Sequence, residues 1–256
     1  MTGLVRDGWL DAELAGLLWL LVEARVPTLV VGRNPDACER VLAAMDALLP
    51  DGVRRATVRP DDDFEWLREA VELGWRRERV GERPVPRDAL SSSDGVLIAP
   101  GLADATGIAG GRARMVVRAL ALGYGLLATM TGEGLDEAFA ALEVPAVGTD
   151  EDERSRLGTV VVLGDDDGVR RIVAAHYVRP VALDPHGHVQ RLPPAVLATW
   201  NPGRRAWDHF AWGALTELAE RTGMAPIDLE REQARRASVL ADAARGRRED
   251  GPNRGV

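Results

Sequence analysis

The residues that could do chemistry begin at Gly32, where the apolar run Pro27-Thr-Leu-Val-Val-Gly32 closes on glycine and a helical pattern follows. A glycine at a strand-to-helix turn lets successive backbone N–H groups and the positive end of the helix face an anion. A loop of this kind that grips a triphosphate reads Gly-x4-Gly-Lys-Ser/Thr, with the lysine on the outer phosphates and the hydroxyl on Mg2+. Here the eight residues are Gly32, Arg33, Asn34, Pro35, Asp36, Ala37, Cys38 and Glu39. Place and length fit, but the chemistry does not. Ala37 stands for the second glycine, Cys38 for the lysine and Glu39 for the hydroxyl. Asp36 and Glu39 have the spacing of a capping box, which stabilises a helix start by roughly 1 kcal/mol. Both carboxylates then occupy the pole that a phosphate would need. Taken alone, the segment reads as an ordinary strand-to-helix loop.

No other constellation offers stronger chemistry. All 32 basic residues are arginine, so lysine chemistry is excluded. His176, His186, His188 and His209 come without a cysteine or an acidic ligand set and read as solvated turn histidines. Ser91-Ser-Ser93 lacks a nucleophile-elbow context. A helix N-terminus would lower the pKa of the Cys38 thiol, but Asp36 and Glu39 oppose that, which makes it a packed thiol. A single cysteine also rules out an internal disulfide.

The elements that position the loop follow from periodicity. Leu10, Leu14, Leu17, Leu18 and Leu21 predict a helix capped by Asp11. Helices are predicted over Asp36–Leu49, Glu65–Trp75, Arg112–Leu122 and Leu135–Leu142, with strands at Val53–Val58, Gly95–Ala99 and Gly125–Met130. Asp61 to Asp63 reads as a solvated charge run, and Arg76 to Ala89 as a surface connection. This alternation predicts an α/β fold with a mostly parallel sheet covered by helices. After Asp150 the pattern becomes strand-rich. Thr159–Leu163, Val169–Val178, His188–Thr199 and Arg204–Trp212 are joined by turns at 165–168, 184–187 and 201–203. Helices at Leu215–Thr222 and Asp228–Arg245 and a frayed tail from Arg247 complete the chain. Trp9, Trp19, Trp66 and Trp75 lie on helical patterns, as core or subunit contacts.

With 256 residues, the chain can bury one large or two modest cores. Its net charge of -8 argues against non-specific binding to nucleic acid or anionic membrane. No apolar run is long enough to span a membrane, and no export signal opens the chain. A soluble cytoplasmic protein is the expectation.

Several segments in order carry a resemblance. They are Gly8 to Arg25, the strand and loop, Leu42-x2-Met45-x2-Leu48-Leu49-Pro50, Ala119 to Met130, Ser155-Arg-Leu-Gly158 and Arg170-Arg-Ile-Val173. Asp184-Pro-His-Gly-His188, Thr199-Trp-Asn-Pro202, Trp207-Asp-His-Phe210, Leu218-Ala-Glu220 and Glu230 to Ala237 continue it. Together they resemble the motor domain of type II/type IV secretion and pilus ATPases, with the likeness closest to archaeal pilus and archaellum motors. The resemblance implies a RecA-like P-loop NTPase fold that assembles into a ring. It implies a single motor domain over 1–246, with a core at 7–150, a β-rich and helical part at 151–246 and a flexible tail at 247–256. The family's separate N-terminal domain is expected to be absent.

Laid on this chain, the family's metal- and water-positioning glutamate falls on Pro100 and its histidine-box histidine on Thr131. Its acidic box falls near Asp61, and Arg112, Arg114 and Arg118 are candidates for phosphate contact. Lysine, hydroxyl, glutamate and histidine are thus replaced by Cys38, Glu39, Pro100 and Thr131. Phosphoryl transfer depends on positioning and charge neutralisation, so catalysis by this chain alone is not expected. No cofactor is expected; the alternative is ATP with Mg2+ handled by arginines or a partner subunit. The expected partners are proteins, either an intact motor of the same family or further copies in a ring. A stand-alone interaction domain is the third reading.

Overall fold

The computed structural model describes residues 1–76, 89–183, 186 and 188–249. Residues 77–88 of the connection expected over 76–89, the turn residues 184, 185 and 187 and residues 250–256 lie outside them; residues 247–249, expected to begin a flexible tail, continue the last described helix. Helices α1 (Thr2–Arg6) and α2 (Ala12–Glu23) lead into strand β1 (Thr28–Val31) and helix α3 (Pro35–Asp46). Strands β2 (Arg54–Thr57) and β3 (Gly95–Ala99), helix α4 (Gly110–Ala119), strand β4 (Gly125–Met130) and helices α5 (Leu135–Glu143) and α6 (Glu151–Arg154) follow. Strands β5 (Thr159–Asp166), β6 (Val169–Tyr177), β7 (Ala182–Leu183), β8 (Val189–Gln190), β9 (Ala195–Asn201) and β10 (Ala206–His209) precede helices α7 (Leu215–Thr222) and α8 (Pro226–Glu249).

One eight-stranded sheet, in the order β10-β9-β6-β5-β1-β4-β3-β2, runs through the whole fold. Strands β2 to β4, β1 and β5 are parallel, and β6, β9 and β10 extend the sheet antiparallel from β5. The molecule is therefore α/β, with a mostly parallel mixed sheet and helices on both faces. All four residues of β1 are buried. Val30 enters a core with α2, α3, α7 and α8, while Leu29 and Val31 enter a second core with α4 and α5. Burial on both faces explains why these strands read as unbroken apolar runs.

Helix α2 starts as the sequence predicts, with Asp11 accepting the Leu14 N–H at 2.9 Å. The helix predicted over Glu65–Trp75 does not form; the segment is a series of turns. Asp62 Oδ1 accepts the Phe64 N–H at 2.7 Å and Phe64 takes a φ of 54°. That turn sends Phe64, Trp66 and Trp75 into one cluster, with ring centroids of Phe64 and Trp75 4.9 Å apart. Packing of three large rings overrides helical spacing there. The strand predicted over His188–Thr199 is split into β8 and β9 at Pro193 and Pro194, which cannot donate to a ladder. The strand predicted over Arg204–Trp212 ends at His209 and turns over Ala211–Ala214.

His176 lies within β6, where burial lowers its pKa, and His209 is not a solvated turn histidine either. Its Nε2 lies 2.8 Å from Asp11 Oδ2 and its Nδ1 3.8 Å from Glu13 Oε1, tying edge strand β10 to the start of α2. The bond to Asp11 raises its pKa, against the opposing effect of burial. At the other end of the layer, α8 lies against Gly16 of α2. A Cβ there would stand 2.8 Å from the Gln233 carbonyl oxygen. Buried Arg236 fixes the crossing through Glu23, and its guanidinium lies 4.8 Å over the Trp19 ring.

Two outcomes follow. Gly16→Ala forces the two backbones apart and lowers the free energy of unfolding by about 1–3 kcal/mol, read from urea unfolding. A group whose pKa is raised on folding stabilises fully below its unfolded value, about 6.5 for histidine, and the gain is lost as pH rises through the folded value. The contribution of His209 to stability therefore falls on raising pH through that window, against the opposite contribution of His176, whose pKa burial lowers, and His209→Gln removes this falling component from the pH profile.

Candidate functional site

The Gly32 loop is built by β1 and its neighbours. The Gly32 N–H donates to the Met130 carbonyl at 3.1 Å and the Gly132 N–H to the Gly32 carbonyl at 3.4 Å, so the loop is fastened to the end of β4. The helix cap is Asn34, with its Oδ1 accepting the Ala37 N–H at 2.8 Å and Pro35 in the first turn. The capping-box pairing of Asp36 with Glu39 is thereby corrected: Asp36 lies one position past Pro35, inside the helix. Pro35 fits the first turn because it has no N–H to leave orphaned. A true capping box forms elsewhere, between Asp150 and Glu153.

None of residues 32–39 takes a positive φ, so the loop lacks the alternation that curls successive N–H groups into an anion nest. The Ala37 N–H is taken by Asn34 and the Cys38 N–H by the Asn34 carbonyl at 3.1 Å. Cys38 is buried, and its sulfur packs over Gly32. A Cβ on Gly32 would lie 2.9 Å from that sulfur and 3.0 Å from Leu163 Cβ. Burial raises the thiol pKa to about 11, with further contributions from the charges of Asp104 and Glu39 against an opposing backbone hydrogen bond. The sulfur is a neutral packing group at neutral pH.

Beside this loop, at the C-terminal ends of the parallel strands, lies an open cavity of about 590 Å3. The neighbours Cys38 and Glu39, together with Pro100 and Thr131 from two distant segments, line it. Crevices outside the carboxyl ends of parallel strands are where open α/β sheets bind ligands. Asp104 also lines the cavity and was not singled out from sequence. Its carboxylate accepts the Thr131 N–H at 3.0 Å and the Thr131 hydroxyl at 3.1 Å, bridging the ends of β3 and β4. Gly101, at φ 68°, and Gly107 fold the Asp104 loop tightly; a Cβ on Gly107 would meet the Gly101 oxygen at 2.2 Å. An aspartate between two closely spaced glycines is a turn signal that could have marked this loop.

The remaining expected positions lie elsewhere. Asp61 is exposed and 3.6 Å from Arg59 Nε. Arg33 pairs with Glu133, and both border a second cavity of about 310 Å3 with Asn34, Ala37 and Arg170. Arg112 Nε donates to the Asp62 carbonyl at 3.1 Å, and its guanidinium lies 5.5 Å over the Trp75 ring. Arg114 and Arg118 converge on Glu153 at 3.4 and 2.6 Å. None of these three arginines lines the cavity beside the loop.

The cavity's charged lining is Glu39, Asp104 and Arg59. One arginine facing two carboxylates is poorly suited to neutralising a triphosphate. No group of three or more His, Cys, Asp or Glu is arranged to hold a metal among the described residues, and His186 and His188 stand 6.3 Å apart, centroid to centroid. No described helix is long and apolar enough to cross a membrane. No family model matches the chain, and no curated protein matches it. Because the Asn34 side chain is the cap, Asn34→Ala lowers stability by about 1 kcal/mol in thermal or urea unfolding, whereas Asp36→Ala, two positions later, changes it less.

Proposed function

We propose that the chain is a non-hydrolysing relative of the secretion and pilus motor ATPases, on a RecA-like P-loop frame, acting in the cytoplasm as an assembly or regulatory partner. The observation that carries this reading is the meeting of Cys38, Glu39, Pro100 and Thr131 in one cavity at the ends of β1, β3 and β4. Three separate segments, the loop pair Cys38-Glu39 from a motif and Pro100 and Thr131 from a resemblance, meet at one end of the sheet.

The chemistry at that convergence supports loss of phosphoryl transfer. The lysine position is a buried neutral thiol, and the hydroxyl position is a carboxylate. The loop's N–H groups at Ala37 and Cys38 are spent on Asn34. Losing the lysine and the metal ligand together removes several kcal/mol of transition-state stabilisation. What such a frame can still do is present surfaces to protein partners.

The test separates nucleotide recognition from general attraction of anions. With Mg2+ present, ATP is expected to raise the melting temperature no more than inorganic tripolyphosphate at the same concentration does, and no ATP turnover is expected. An ATP shift clearly above the tripolyphosphate shift, dependent on Mg2+, would overturn the reading in favour of a divergent nucleotide-binding protein.

A further inference from the structure

At the opposite end of the sheet from the Gly32 loop, a cavity of about 190 Å3 opens between the end of α2, the start of β1 and the turn before β4. Arg25, Arg156 and Arg221 line it, together with Pro27, Tyr124 and Pro180. Among the described residues no carboxylate contributes to its lining, although the protein as a whole carries a net charge of -8. We propose that this cavity is an anion site for a single phosphate group, either free or as a phosphomonoester.

The positions of the three arginines follow from local structure. Arg25 comes just after α2, Arg156 just after α6, and Arg221 in the last turn of α7. Cations are favoured at helix C-termini, so each is placed without needing an acidic neighbour. The sum of three such placements is a cavity whose charged side chains are all positive. Arg25 spends one nitrogen on the Ser92 carbonyl at 2.8 Å. Its φ of 57° turns it out of the α2 helix as the chain enters β1. The guanidinium groups of Arg156 and Arg221 make no hydrogen bond or ion pair among the described residues. Acidic side chains do stand nearby. Glu72, Asp150, Asp152 and Glu153 border the adjoining cleft on the other side of Arg156, and Glu153 is held by Arg114 and Arg118.

Chemistry and size narrow the ligand. Guanidinium groups match phosphate oxygens in planar, forked geometry, and charge-assisted bonds of this kind are about twice as strong as neutral ones. Cofactor-sized ligands occupy pockets of about 300–1,000 Å3, so a nucleotide base and sugar would remain outside this one. The site is independent of the proposed motor kinship, because it shares no residue with the Gly32 loop or the cavity beside it.

Inorganic phosphate is the first probe, titrated calorimetrically against the full chain at constant ionic strength with chloride as the balancing anion. Binding is expected in the wild type, weakened about tenfold in Arg156→Gln and in Arg221→Gln, as for loss of one charged hydrogen bond. Arg231→Gln, on the exposed face of α8, has the same change in charge and should bind like wild type. O-phosphoserine is the second probe: tighter binding than phosphate assigns the site to an esterified phosphate, equal binding to the free ion. Either result supports the site. Phosphate binding indistinguishable from chloride, or retained undiminished in the Arg156→Gln/Arg221→Gln double variant, overturns it. Circular dichroism of each variant separates loss of binding from loss of fold.

Discussion

The structure depends on β1 being hydrogen-bonded in parallel to strands on both sides, β4 and β5, while both of its faces are buried. A strand so enclosed can expose polar groups only at its ends. The loop after it must therefore emerge where the ends of β3 and β4 also emerge. The meeting of Cys38, Glu39, Pro100 and Thr131 is a geometric consequence of that enclosure, given the sheet order. It also explains the fastening of Gly32 and Gly132 to one another, since two adjacent strand ends have few other ways to satisfy their backbone groups.

The carboxyl edge of the sheet shows what happens when a loop of this shape is stabilised from within. Asn34 caps the helix, Pro35 begins it, and Cys38 fills the space over Gly32. Each choice consumes a group or a volume that an anion would otherwise use. Asp104 reinforces the same outcome from across the cavity, by bracing Thr131 and by adding its charge to the burial that keeps the thiol neutral. The three arginines at the other edge obey a different rule, the preference of helix C-termini for cations. Opposite ends of one sheet thus carry opposite local charge without any long-range arrangement.

Much of this was legible in the residues. The apolar runs of β1, β3, β4 and β5, the Asp11 cap and the glycine ending β1 are local signals, and local physics decides them. The aromatic turn at Phe64 was not, because apolar residues within 65–75 recur at helical spacing, and only the packing of Phe64 with Trp66 and Trp75, and of Trp66 with Tyr124, rejects the helix. The split between β8 and β9 was readable from Pro193 and Pro194 and was outweighed by the apolar residues around them. Asp104 was hidden because its role is a contact across 27 positions, to Thr131. Asn34 and Asp36 both suit a cap, and it is Pro35 at the first helical position that decides for Asn34.

The crossing of α2 and α8 at Gly16 has a consequence for the order in which the protein is made. The Gln233 side chain reaches the Glu13 carbonyl across 220 positions of chain. The core beneath α2 contains Leu229 and Leu240, so it stays unfinished until α8 has left the ribosome. The core on the other face draws its buried residues from Leu29 to Val178 and can close earlier. During synthesis, the face of α2 that awaits α8 is a greasy surface in need of a temporary cover.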